Sequence, residues 1–419
     1  MIDHPTPTQP NKPSHQSLNI ALAHDWLVGR RGGELVLDAI INTINQDQHR
    51  ITSLYCMFDT GKPVTDAIDA LPKSVSPLNK YPPALRRWLL FRYPSAVRAL
   101  SRQLASDHAK SPIDLIISTH SAAIKAIESS SKPDQQIHHL CYCHTPARYL
   151  WSQGSLYDAP GLKGSLRSLG LWAATPTLRE WDRKTADAVT QFIANSTHTA
   201  QQIKEHYNRD SIVIHPPVRT DFFTLPDPES TPAPERTDAL LLVSALEPYK
   251  RVDLAIDAAA LANRELLIVG SGSHNAQLRK HARKARAKHG SRALIRFLGQ
   301  LTDSQLRTQY QSASAFLFPQ IEDFGITAVE AQASGCPVIA RQAGGALDTV
   351  IEASQSPTGT FFDEPTPEAI AEAIERVPAS QDTPQHCRAN ALRFSESVFI
   401  QKMSDLIHQL VNQQISRAH

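Results

Sequence analysis

The sequence predicts an α/β protein of two domains, each built on its own parallel sheet, facing one another across a cleft. Three observations predict it. The chain has 419 residues, more than a single hydrophobic core organises. Short apolar runs alternate with helical periodicity, and the series occurs twice. A stretch with four prolines, PDPESTPAPERTD at 226–238, separates the two series and reads as a linker.

The elements follow in order. Residues 1–17, MIDHPTPTQPNKPSHQS, are polar and proline-rich without an apolar h-region, so a disordered leader is expected and not a signal peptide. The first domain, 18–225, is expected to take strands from NIALAH (19–24), ITSLYC (51–56), DLIIST (114–119), IHHLCYC (137–143) and QFIANS (191–196). The second, 239–395, repeats the pattern with ALLLVSAL (239–246), ELLIVG (265–270), LIRFLG (294–299), AFLFP (315–319) and PVIAR (337–341). Helical spacing marks 251–262 and 367–377, and residues 396–419 are expected to form a helix that packs back toward the first domain.

Composition narrows the function. A formal charge of +2 makes no electrostatic case for nucleic acid as the main partner. The five cysteines are scattered and odd in number, which suits a reducing compartment and buried thiols rather than a disulfide framework. No apolar run reaches the roughly 18 residues of a membrane span, so a cytoplasmic location is expected. The segment KYPPALRRWLLFRYPSAVRALSR (80–102) mixes arginines with Trp88, Leu89, Leu90 and Phe91. It reads equally as a peripheral contact with an anionic bilayer, at the inner membrane face, or as an ordinary helix with solvated arginines.

In open parallel sheets the chemistry gathers in the loops after strands. After the first strand, Gly32-Gly33 opens a helix, where bare backbone N–H groups can approach a phosphate or a sugar; a turn needing positive φ explains the pair as well. Gly270-Ser-Gly272 begins a dinucleotide fingerprint, but Asn275 stands at the third glycine position. Lys250 and Arg251 start a helix after another strand, which suits a diphosphate, although the pair taken by itself reads more readily as solvated surface charge. His144 and His120 both end strands, and Arg148, Tyr149 and Trp151 follow His144. Asp323-Phe324-Gly325 spells a kinase motif, yet no HRD precedes it. Neither a Walker loop nor an Asp-x-Asp pair occurs, so phosphate-loop and metal-clamped chemistry lack their residues.

The most informative stretch is EDFGITAVE, 322–330. Glu322 precedes a helix start and Glu330 lies about a turn inside, tilted back toward the N-terminus. Between them, N–H groups around Phe324, Gly325 and Ile326 face outward. Carboxylate, N–H donors, carboxylate is an order that fits a sugar nucleotide, which has hydroxyls at both ends and charge in the middle.

Taken together, GGE, CHTPARYLW, NS, HPPV, SALEPYKRVDLAIDA, IVGSG, FLGQLTDSQL, EDFGITAVEAQASGCPVIA, GGALDTV and GTFF resemble family 4 of the retaining glycosyltransferases, over about 18–405. Within it the chain most resembles bacterial GDP-mannose-dependent mannosyltransferases of O-antigen and exopolysaccharide assembly. The resemblance implies GT-B architecture, two facing Rossmann-like domains, with the nucleotide sugar on the second and a saccharide or lipid-linked acceptor on the first. It implies that Glu322 contacts the transferred sugar, Glu330 the ribose, Lys250 the diphosphate, and that His144 lies close to the donor sugar. Gly270, Gly272, Phe324, Gly325 and Ile326 would line the donor, and Gly32 and Gly33 the acceptor and phosphate loop. Where many members carry an arginine a few residues before that lysine, this chain has Ser244-Ala245-Leu246, so the second diphosphate cation is Arg251 or is missing. No metal and no cofactor is expected, the nucleotide sugar being a co-substrate. The resemblance favours a front-face retaining route over a covalent carboxylate intermediate. A UDP- or ADP-sugar donor is the nearest alternative; a sugar-nucleotide epimerase of the same architecture would need an acid/base pair that the sequence does not display.

Overall fold

A computed structural model describes residues 17–86, 89–130, 132, 135–151, 175–227 and 235–418. The leader (apart from Ser17), the middle of the proline-rich stretch and Arg87-Trp88 lie outside the described residues. Two parallel sheets organise the rest. The first runs β3 (Lys73–Val75), β2 (Arg50–Asp59), β1 (Asn19–Leu27), β4 (Leu115–His120), β5 (His138–Cys143), β6 (Gln191–Ala194) and β7 (Ser211–Val213). The second runs β10 (Ile295–Gly299), β9 (Leu266–Val269), β8 (Leu240–Val243), β11 (Ala315–Phe318), β12 (Val338–Arg341) and β13 (Gly359–Phe362).

Each order reverses beside the domain's first strand, between β1 and β4 and between β8 and β11. That reversal parts the strand-to-helix loops and opens a crevice at the carboxyl ends of the strands. Strands buried on both faces explain why these segments read as unbroken apolar runs: all four residues of β11 and all six of β4 are buried. Sequence reading missed β3, β7 and β13. The first two are three-residue edge strands with too few residues to show a period.

Among the described residues, longer helices that cover the faces include α1 (Gly32–Gln46), α2 (Tyr93–Lys110), α3 (Thr197–Tyr207), α4 (Val252–Leu261), α5 (Asn275–Lys288), α6 (Asp303–Ser312), α7 (Ile326–Ala333), α8 (Pro367–Arg376), α9 (Thr383–Leu392) and α10 (Glu396–Ala418). The segment 80–102 is not one helix. Leu89 lies outside any helix and Leu90–Arg92 form a 3-10 turn before α2, and Arg86 turns inward to donate to the carbonyls of Tyr81 and Asn79 at 2.8 Å while lying over the Phe58 ring. Leu85 and Phe91 are its exposed apolar side chains.

The chain crosses between domains twice. Ile214 packs in the first core and Val218 and Phe223 in the second, so the crossing falls at His215-Pro216-Pro217, ahead of the 226–238 stretch read as linker. The described end of that stretch, 235–238, joins the second domain, where Thr237 N–H donates to the Ser312 carbonyl at 2.7 Å. The return crossing lies alongside, with Val218 bridged to Ser395. From there α10 enters the first domain and packs on α1, with Phe399, Met403 and Ile407 in the core that contains β1. Phe399 meets the Tyr142 ring edge-on at 5.9 Å. Truncating that ring leaves a cavity in the first-domain core beneath α10, so Phe399→Ala is expected to cost about 3–5 kcal/mol, read as a lower urea midpoint. A loss below about 1 kcal/mol would show that α10 is only loosely docked.

Candidate active site

The two crevices face one another, and the loops after β8 and β11 form the second domain's lip. Residues Pro248–Lys250 make one 3-10 turn, and Lys250 lies with its ammonium 5.0 Å above the Tyr249 ring and paired with the Glu322 carboxylate. Arg251 adopts a left-handed backbone (φ 51°) to start α4, and its Nε reaches Asp253 at 3.4 Å. Its half-exposed side chain meets Asp253 and not the Glu322 carboxylate that Lys250 pairs with.

Glu322 is held by backbone. Its carbonyl accepts the Gly345 N–H at 2.8 Å, and a Cβ on Gly344 would lie 2.5 Å from that same oxygen. The glycine pair of GGALDT is therefore a platform for the Glu322 loop. Gly325 opens α7 at φ +96°, where a Cβ would strike the Phe318 ring. The Phe324 side chain is buried between His215 and Phe394, with centroids 5.6 and 5.5 Å away, so it offers a ligand only its backbone. Among the described residues, no acceptor meets the N–H groups of Gly325 and Ile326. Ile326 Cδ1 comes within 2.9 Å of where a Cβ on Gly32 would stand, so Gly32 permits a close approach across the cleft.

Glu330 is buried, with its carboxylate 3.9 Å from Arg219, which itself donates to Asp303 at 2.6 Å. Burial raises its pKa to about 7, against the pull of Arg219. Gly270 and Gly272 serve the architecture. A Cβ at either would lie 1.9 and 2.4 Å from the carbonyls of Ser244 and Leu246, so the loops after β8 and β9 interlock through bare backbone. Gly32 and Gly33 have no positive φ, which removes the turn explanation and leaves close approach.

On the first domain, His24, His120, His144 and Asp25 crowd the β1–β4–β5 ends. Asp25 accepts N–H groups from Ser121, Ala122, Ala123 and Ile124 at 2.7–2.9 Å, pinning the loop after β4. Burial raises its pKa, but His120 at 3.6 Å and those N–H groups hold it well below the carboxylate range. His24 bridges Thr119 Oγ1 (2.5 Å) and the Trp26 carbonyl (2.8 Å). His144 Nε2 is buried without a hydrogen-bond partner among the described residues, 3.7 Å from where a Cβ on Gly33 would stand. Burial, then the neighbouring His24 and His120, lower its pKa to about 3, so the imidazole is neutral at physiological pH.

Arg148 joins the two lips. It pairs with Asp323 and lies 4.0 Å from Glu322, both on the opposite domain. Below the lip, Asp348 accepts the Thr197 N–H at 2.7 Å and faces His215 Nε2 at 3.0 Å. Sequence reading missed Asp25, Arg219, Asp303 and Asp348; their partners lie more than eighty positions away, and no local pattern marks them.

Residues 30–222 match the model of Glycosyltransferase Family 4, and residues 225–394 match that of Glycosyl transferases group 1. The chain carries two glycosyltransferase domains. The family 4 match takes in β2–β7, and the group 1 match takes in Lys250, Glu322 and Glu330. A relative from Streptomyces bingchenggensis, a D-inositol 3-phosphate glycosyltransferase, is 32% identical over 177 residues, 38% of this chain and 39% of its own. A GDP-mannose-dependent monoacylated alpha-(1-6)-phosphatidylinositol monomannoside mannosyltransferase from Corynebacterium glutamicum is 30% identical over 205 residues, 44% of this chain and 52% of its own. The chain thus spans about two fifths to half the length of these relatives. In fold it is similar to the sucrose-phosphate synthase of Thermosynechococcus elongatus, with TM-score 0.68 at 19% identity over 94% of this chain and 100% of that one. Two facing parallel-sheet domains of GT-B type are therefore its architecture.

The neutral histidines set an acid limit for the pair of domains. Burial also lowers His139 to about 3, so between about 6.5 and 3 the unfolded chain binds protons that the folded chain does not. Stability is expected to fall as pH drops through that window, with a shallower fall in His144→Asn. Urea midpoints at pH 7.5, 6 and 5 measure it; a pH-independent midpoint would contradict the buried neutral imidazoles.

Proposed function

We propose that this chain is a retaining glycosyltransferase that moves a hexosyl group, mannosyl from GDP-mannose, to a saccharide or lipid-linked saccharide in cell-surface polysaccharide synthesis. One observation carries the reading. Glu322 and Glu330 flank an α7 N-terminus whose N–H groups are open, with Lys250 at the first carboxylate. The GDP-mannose dependence named for the Corynebacterium relative supports the donor assignment.

The chemistry follows from charge. As the glycosidic bond to the diphosphate breaks, negative charge grows on the leaving group and positive charge on the sugar. Lys250 and the α7 N–H groups stabilise the first without reorganising. Glu322, once released from Lys250, receives sugar hydroxyls. Glu330, deep in the pocket, accepts ribose hydroxyls. Neutral His144, with Nε2 toward the Gly33 face, exchanges a hydrogen bond with the sugar and carries no charge to compete for the diphosphate. Retention fits a front-face route in which the departing diphosphate takes the acceptor proton. No residue in this arrangement is assigned to a metal, and the transfer is proposed to need none.

The decisive assay incubates the protein with GDP-, UDP- and ADP-sugars and follows donor hydrolysis, with and without excess EDTA. GDP-mannose should be consumed, and EDTA should not matter. Turnover of another donor alone would reassign the sugar; conversion of the sugar without release of nucleotide would reveal an epimerase; loss restored only by Mg²⁺ or Mn²⁺ would overturn metal independence. Glu330→Gln should weaken free GDP about 10- to 150-fold, the loss of roughly 1.5–3 kcal/mol of charged hydrogen bonding. Because the Glu330 pKa is about 7, wild-type GDP affinity should rise as pH increases through 7, and the variant's should not. Glu322→Gln should spare GDP and lower turnover. Equal loss of GDP affinity in both variants would refute this division.

The membrane reading rests on Leu85 and Phe91, both exposed, beside exposed Arg92, Arg98 and Arg102. Such a patch can hold the enzyme at an anionic inner membrane face near a lipid-linked acceptor. Co-sedimentation with anionic vesicles, absent with neutral ones and weakened by Phe91→Ser, is the expected result; indifference to lipid charge at low salt would end it.

A further inference from the structure

A departing diphosphate carries more negative charge than Lys250 alone neutralises, and the group 1 domain supplies no second free cation among its described lip residues. Arg251 is turned to Asp253, and Arg219 is committed to Asp303 and Glu330 at the other end of the pocket. The guanidinium that does reach this place comes from the opposite domain. We propose that Arg148 is the second diphosphate-binding cation of the donor site, delivered across the cleft, so that domain closure completes the site. This rests on the reading of the cleft as a nucleotide-sugar site.

The argument is one of charge placement. Glu322 has Lys250 at one carboxylate oxygen and Arg148 4.0 Å from the other. Two cations thus bracket one anion, immediately before a helix N-terminus that itself favours negative charge. Placing a guanidinium at the positive end of a helix costs energy unless an anion sits between them, and here Glu322 and Asp323 are that anion. The four side chains sum to zero charge. A diphosphate has two anionic centres and can take both cations, returning Glu322 to the sugar hydroxyls. A guanidinium, with its planar fork of donors, suits phosphate oxygens better than a lysine does.

Asp323 then acts differently. It docks Arg148 before the donor arrives, and it is a positioning residue. If Arg148 were merely a latch between domains, removing either partner would weaken the binding of every nucleotide alike. If it binds the diphosphate, its removal should be felt only where a second phosphate is present.

Calorimetric titration of GDP against GMP, UDP against UMP and ADP against AMP, into the full chain, separates these cases. For the base that the wild type binds, Arg148→Ala should lose about 10- to 100-fold in diphosphate affinity while monophosphate affinity holds. Arg148→Lys should recover part of the loss, and Asp323→Asn, which only undocks Arg148, should lose less diphosphate affinity than Arg148→Ala while sparing the monophosphate. Circular dichroism melts confirm that each variant folds; if Arg148→Ala does not, Arg148→Lys against Asp323→Asn carries the comparison. Parallel losses for mono- and diphosphate, or no loss in Arg148→Ala, would overturn this proposal while leaving the donor site standing. A wild type that binds none of the six nucleotides would overturn both.

Discussion

The double passage of the chain between the domains is the constraint on which the cleft depends. His215-Pro216-Pro217 leads out of the first core, and Ser395 leads back beside Val218, so the two connections lie side by side. Two prolines restrict the outgoing strand, and α10 anchors the returning one by burying Phe399, Met403 and Ile407 under β1. Asp348 then ties the start of α3 and His215 to the second domain. Its carboxyl is pulled below the usual range, its burial being outweighed by His215 and Thr197. With the domains so fixed, Arg148 meets Asp323 and Gly32 meets Ile326.

The two halves of the cleft are built by unlike means. On the group 1 side, bare backbone does the positioning: Gly344 and Gly345 seat the Glu322 loop, Gly325 turns it into α7, and Gly270 and Gly272 lock the neighbouring loops. On the family 4 side, a buried carboxylate does it, since Asp25 gathers four N–H groups of the loop after β4. The first device leaves N–H groups pointing into the cleft. The second consumes them on the ionised Asp25, beside the neutral His144.

The lip is electrically balanced within itself, with Lys250 and Arg148 against Glu322 and Asp323. Such a set holds its side chains in place before a substrate arrives, which reduces the ordering entropy of binding. It also makes entry an exchange of ions rather than the burial of a bare charge, which would be costly in a half-buried site.

Much of this was legible in the sequence because it is local. A parallel strand buried on both faces must be an apolar run, and a loop seated on backbone must be glycine, so β1, β4, β8, β11, Gly32, Gly325 and the Glu322–Glu330 spacing all show as pattern. What could not be read depends on partners far along the chain. The crossing lies at 215–217 rather than in the proline-rich stretch because core membership, not composition, decides where a domain begins. Arg251 looked like a partner of Lys250 because they are adjacent, yet its left-handed backbone sends it to Asp253, while Arg148 arrives from 175 positions away to stand at Asp323. Sequence order therefore determined which residue types line each loop, through steric and solvation rules that act over a few residues. Only the packing of one domain against the other decided which charges share a space, because Coulomb interactions follow distance in the fold and not distance along the chain.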